Sequence, residues 1–206
     1  MSTCTETPAT IHAFWFGPHV AELDDAAIAH RQTALWWRKN PAVDAAMRTR
    51  FAGCIEQAAA GALDGWTATP QGCLALVLLM DQFTRNVHRD TPAAFACDAQ
   101  ARAWVRAALD AREDTLLRPI ERVFLYLPFE HAEDMADQGR AVALFTALHD
   151  GVPPAQREPF KGFLDYALKH RTVIARFGRF PHRNAILGRT STEEEIAFLA
   201  QPGSRF

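Results

Sequence analysis

The fold is read from Thr69-Pro70-Gln71-Gly72-Cys73-Leu74-Ala75-Leu76-Val77-Leu78-Leu79-Met80-Asp81-Gln82-Phe83-Thr84-Arg85-Asn86-Val87-His88-Arg89. Thr69 before Pro70 is a helix start. The threonine oxygen can accept an unpaired N–H of the first turn, while proline has no N–H to lose and a φ that is already helical. From 73 to 80 every residue is apolar, so this helix is buried all round. Beyond Met80, Asp81, Arg85 and Arg89 recur at helical spacing with Gln82 alongside. This polar stripe has two readings. Either the helix emerges into solvent, with Asp81–Arg85 an i,i+4 pair worth about 0.3 kcal/mol, or the stripe lines a cleft.

Working outward, the same start recurs at Thr7-Pro8, Asn40-Pro41 and Thr91-Pro92. Apolar periodicity predicts further helices over 22–39, 119–127, 134–149 and 154–177, and a last one opening at Ser191, where Ser191 and Glu194 fit a capping box. No segment alternates with period two, so no strand is expected. The linkers at 61–69 and 151–154 are short, which predicts antiparallel helical hairpins. The expectation is a single all-α domain over 1–206 with about eight or nine helices and 74–80 at its centre. Trp15, Phe16, Leu76, Leu79, Phe83, Phe124 and Phe163 should be buried. Trp36 and Trp37 point about 100° apart on a helix, which leaves one of them to wall a pocket.

Composition narrows the function. With 206 residues and 49% hydrophobic content, the chain can bury a core without staples. A net charge of -2 supplies no field for nucleic acid or an anionic membrane, so neither partner is expected. The longest apolar run is too short to span a bilayer, and the first residues carry no secretory start, which points to the cytoplasm. The cysteines Cys4, Cys54, Cys73 and Cys97 never form a CxxC; each reads as a small buried hydrophobe in a reducing compartment.

Two further segments could carry chemistry. Past Gly178, the residues Arg179, His182, Arg183, Asn184 and Arg189 form a cationic loop with no acid before Glu193. Arginine forks suit a carboxylate or phosphate; they equally suit internal pairing with Glu193, Glu194, Glu195 or Asp165. Leu127-Pro128-Phe129-Glu130-His131-Ala132-Glu133-Asp134 places an imidazole among carboxylates. His131 reads there as a general base, as a metal ligand, or as part of an exposed acidic helix start. No HExxH, phosphate loop, nucleophile elbow or kinase signature occurs, so no metal site is expected, and the sequence leaves any cofactor unknown.

Together these motifs identify a family. Phe14-Trp15-Phe16-Gly17, Trp36-Trp37, Asp81-Gln82-Phe83-Thr84-Arg85-Asn86, the segment 127–134, and Phe177-Gly178-Arg179-Phe180-Pro181-His182-Arg183-Asn184 with Leu187-Gly188-Arg189 resemble the bacterial family known as domain of unknown function 924. The resemblance runs over nearly the whole chain. It implies an all-helical, tetratricopeptide-like fold and no established activity.

The sequence therefore predicts one site. Asp81, Gln82, Arg85 and Asn86 should meet the 177–184 loop, with His131 as third contributor. His131, His182 and Asp81 are the candidate catalytic groups, Asp81 orienting an arginine or histidine. Gln82, Arg85, Asn86, Arg179, Arg183 and Asn184 would hold a small anionic molecule. The alternative is a helical-repeat module that reads an acidic peptide along a basic groove.

Overall fold

The structure, a computed structural model, describes residues 3–204. Its α-helices are α1 (Pro8–Phe16), α2 (Asp25–Trp37), α3 (Pro41–Ala59), α4 (Pro70–Val77), α5 (Thr84–Val87), α6 (Asp98–Asp110), α7 (Pro119–Glu130), α8 (Met135–Gly151), α9 (Arg157–Phe177) and α10 (Glu193–Leu199). A π-helical segment, Leu78–Phe83, joins α4 to α5 without a break. Counting that rod once gives nine helices and no strand among the described residues.

The caps do what the sequence asks of them, with three shifts. Thr7, Asn40 and Thr69 accept first-turn N–H groups of α1, α3 and α4. Thr91-Pro92 instead opens a 3-10 turn, because the Thr91 hydroxyl donates back to the His88 carbonyl; α6 starts only at Asp98. The helix expected from 22 begins at Asp25, where Asp24 accepts from Ala27 N–H at 2.7 Å. The last helix is capped one residue late, by Thr192 with Glu195. Ser191 is diverted, its hydroxyl accepting from Asn184 at 3.0 Å.

The rod of α4 and the π segment is the axis of the molecule, with Leu74 to Phe83 buried and α1, α3, α6 and α7 packed on it. Trp15, Phe16, Trp36 and Phe124 form a ring cluster against Phe83, with Trp15 and Phe124 centroids 5.4 Å apart and nearly perpendicular. The Trp36 indole N–H donates to the Trp15 carbonyl at 2.9 Å. Such rings dominate core energetics, and truncating one to alanine costs about 3–5 kcal/mol. α7, α8 and α9 follow one another through short connectors and pack in succession, so each must reverse on the last. Phe163 is the one expected core residue that is only partly buried; it faces a cleft, described below.

One cysteine expectation is overturned. Cys4 and Cys54 form a disulfide across 50 residues of chain, while Cys73 and Cys97 stay free. The pairing depends on the N-terminal segment folding back along α3, where Glu6 also takes a bidentate contact from Arg50 at 2.8 Å. No local spacing encodes such a crossing.

Candidate functional site

Asp81 lies in the π segment and is fully buried. Side chains of the next turn engage the nearby carbonyls: Thr84 donates to the Met80 carbonyl at 3.0 Å, and Arg85 Nη1 to the Asp81 carbonyl at 2.7 Å. π segments of this kind occur frequently at functional sites. The Asp81 carboxylate accepts from His131 Nδ1 at 2.8 and 3.0 Å and from Gln82 Nε2 at 2.6 Å, with Arg85 Nη1 3.1 Å away. Burial alone would raise its pKa; the charge of Arg85 and the hydrogen bonds from His131 and Gln82 outweigh burial and hold the carboxyl below the ordinary range.

His131 sits at the end of α7, on a turn held by Gln138 Nε2, which donates to the Glu130 and Ala132 carbonyls at 2.5 and 2.8 Å. Burial first, and Arg85 next, push its pKa down against the pull of Asp81. The ring is therefore neutral. An ionised Asp81 can only accept, so Nδ1 carries the proton and Nε2 is the basic nitrogen.

The Asp81–Arg85 stripe and the 177–184 loop do meet. Arg85 forms a bidentate pair with Asp98 of α6, both contacts at 2.9 Å, and Arg183 Nη1 donates to the His131 carbonyl at 3.1 Å while lying 3.9 Å from the same Asp98. The Arg183 guanidinium is sandwiched between the Phe95 and Phe180 rings, at 4.7 and 4.4 Å. Burial, then repulsion from Arg85, lowers its pKa to about 10. Glu133 fastens the loop from the other side, accepting from Arg189 at 2.6 Å and from the Phe180 N–H at 2.8 Å.

The remaining expected residues lie apart. Asn86 turns with Arg89 to Asp44 of α3, at 2.9 Å. Arg179 is spent on Glu195 and the Thr190 carbonyl, and Asn184 on Ser191 and Glu195; these two fasten the loop to α10. His182 is partly buried beside Phe180. Burial, then Arg183, lowers its pKa to about 3, too weak a base for proton transfer near neutrality.

The His131 ring lines a cleft of about 570 Å³ walled by α2, α7 and α9. Trp37, 48% exposed where Trp36 is buried, forms one wall, and Leu127, Phe163 and Tyr166 are others. Beside His131 stands a second imidazole–carboxylate pair. His170 Nδ1 lies 3.0 Å from Glu130 Oε1 and 2.9 Å from the Tyr166 carbonyl, and the two imidazole centroids are 6.2 Å apart. Sequence reasoning missed His170. Its signal was an imidazole on the otherwise apolar face of α9 that carries Phe160, Ala167 and Ile174. Among the described residues no group of three or more His, Cys, Asp or Glu side chains is arranged to hold a metal ion.

Fold and site define an all-α protein that presents a carboxylate-held imidazole to an aromatic cleft. The chain belongs to the family described as bacterial protein of unknown function (DUF924), whose model matches residues 11–203. It is similar to a solved structure of a protein of unknown function from Agrobacterium tumefaciens, at 37% identity and a TM-score of 0.77, covering 94% of this chain and 96% of that one. No curated protein matches it.

Proposed function

We propose that the cleft binds a small organic molecule and that His131 acts on it as a general base, with Asp81 as the positioning residue. One observation carries this reading: a fully buried carboxylate holds Nδ1 of an imidazole whose ring lines a cleft of about 570 Å³. The volume and mostly apolar wall suit a small-molecule site. With Nδ1–H committed, proton uptake falls to Nε2, and Asp81 stabilises the imidazolium that forms. The chemistry on offer is proton abstraction from carbon, hydroxyl or bound water.

An anionic ligand, expected from the arginine count, finds no arginine or lysine in the cleft wall. Arg85 and Arg179 are paired with carboxylates, and Arg183 is stacked between rings and bonded to a carbonyl. The same fact weakens the alternative of an acidic peptide read along a basic groove. The arginines serve as scaffold around Asp98 and Glu195. The succession α7–α8–α9 is, in this reading, a tetratricopeptide-like stack whose α7 and α9 contribute to the cleft wall. No helix among the described residues is long and apolar enough to cross a membrane; we place the protein in the cytoplasm, a setting in which the Cys4–Cys54 disulfide is unusual.

A thermal-shift screen of a metabolite library tests the proposal, because a ligand raises stability by RT ln(1 + [L]/Kd). Gly162 lines the cleft, and a Cβ built on it meets nothing within 4 Å, so Gly162→Phe fills the cleft while sparing the helix. Compounds that shift the wild type should fail to shift Gly162→Phe. Those turned over should lose about 10²–10⁴-fold in rate in His131→Ala. Hits that stabilise Gly162→Phe as strongly as the wild type would refute the site.

A further inference from the structure

The carboxylate of Glu130 is only half used. Its side chain is 4% exposed, Oε1 is engaged by His170, and Oε2 is buried without a hydrogen-bond partner. A buried carboxylate oxygen left unpaired is costly, and native structures seldom retain one without a reason. Gln138, the nearest amide on α8, is committed to backbone carbonyls around the same turn. Glu130 is also part of the cleft wall.

The rest of that wall points the same way. It contains no lysine or arginine, and at its mouth Glu158 adds a second, exposed carboxylate 3.7 Å from His30. Trp37 and Phe163 offer ring surface close by, their centroids 6.0 Å apart. Tyr166 has one ring already occupied by the Lys169 ammonium, at 4.7 Å. A buried acceptor beside aromatic faces, with no lysine or arginine among the lining residues, is the recognition chemistry of an organic ammonium: N–H groups go to the carboxylate, and the charge and adjoining apolar carbons go to the rings.

We infer that the ligand of this cleft is an amine, bound as its ammonium at the Glu130 carboxylate with its apolar body against Trp37 and Phe163. This rests on the small-molecule reading above and deepens it by naming the ligand class. It also places the bound molecule beside His131 Nε2, the nitrogen left to take a proton.

Three probes of near-equal size separate the possibilities: tryptamine, tryptophol and indole-3-propionate, titrated to millimolar concentration by ligand-observed NMR on the wild type, Glu130→Gln and Gly162→Phe. The expected result is tryptamine binding at least tenfold tighter than tryptophol, with indole-3-propionate weakest. Glu130→Gln should remove the amine preference while leaving tryptophol unchanged, and Gly162→Phe should abolish binding of all three. The wild-type ranking and the Gly162→Phe arm decide the matter even if Glu130→Gln fails to fold. Equal binding of the probes, all lost in Gly162→Phe, overturns the ammonium while the cleft stands. Binding that survives Gly162→Phe overturns both, and no amine binding at millimolar concentration overturns the ammonium.

Discussion

His131 and Asp81 work as a pair because each corrects the other's burial. Desolvation disfavours charge on both groups, and the hydrogen bond with Arg85 nearby settles the distribution as anionic Asp81 and neutral His131. At pH 7 the His131 ring should therefore show a protonated Nδ1 and a pyridine-like Nε2 in long-range ¹⁵N NMR, and Asp81→Asn should erase that tautomer preference. A wild-type ring protonated on Nε2 would overturn the assignment. Arg85 is the counterweight for two acids, Asp81 and Asp98. Arg85→Ala leaves both buried and under-compensated and should cost about 3–5 kcal/mol in urea unfolding, as removal of one partner of a buried pair does. The Asp81–Arg85 contact was legible as an i,i+4 spacing. Asp98 was not, since it sits 13 residues away on another helix.

At the scale of the element, the rod from Pro70 to Val87 depends on how its ends are seated. Thr69 accepts from Gly72 N–H at 3.1 Å, and Thr69→Ala should cost about 1 kcal/mol. Gly72→Ala should be worse despite the better helix propensity of alanine. A Cβ there would lie 2.0 Å from the Trp66 carbonyl oxygen, so the 3-10 turn Asp64–Ala68 must move, at about 2–3 kcal/mol. Chemical denaturation of the two variants checks the order; a Gly72→Ala protein as stable as the wild type would show that the turn yields freely. The π segment was invisible beforehand, because an apolar run carries no mark of an i→i+5 turn. Its consequence is the placement of Asp81 opposite α7.

For the whole molecule, acid stability follows from buried groups whose pKa values folding lowers. His182 has a pKa of about 3 in the folded chain and about 6.5 unfolded. Between those values the unfolded chain holds the extra proton, so stability falls as pH drops through that window. His131 shifts in the same direction, and below about pH 4 the lowered carboxyls of Asp81, Asp44 and Glu195 add to the loss. Asp25, raised by burial, works the other way. The unfolding free energy from urea titrations should thus decline steadily from pH 7 to pH 4, by a total on the order of a few kcal/mol; a flat profile would contradict the lowered histidine pKa values. The N-terminal segment is tied down separately. Cys4→Ser opens a crosslink over 50 residues and should cost about 2–4 kcal/mol, and alkylation under denaturing, non-reducing conditions with mass spectrometry should find Cys4 and Cys54 blocked while Cys73 and Cys97 are alkylated.

The sequence by itself determined most of the helices, the starts at Thr7, Asn40 and Thr69, the all-α class and the family, because caps, prolines and apolar periodicity act within a few residues of where they are written. It also marked Asp81, Arg85, His131 and Arg183 as segments of unusual chemistry, since polar groups interrupt apolar runs there. Only the tertiary structure decided which of them share a site. Asn86 and Arg89 leave the stripe for Asp44, and Arg179 and Asn184 leave the loop for Glu195, because their carboxylate partners come from elements distant in sequence. His170 and Glu130 face the cleft only because α9 packs back along α7. Pairing of charges and enclosure of a cavity are long-range outcomes of packing, and no spacing within one segment encodes them.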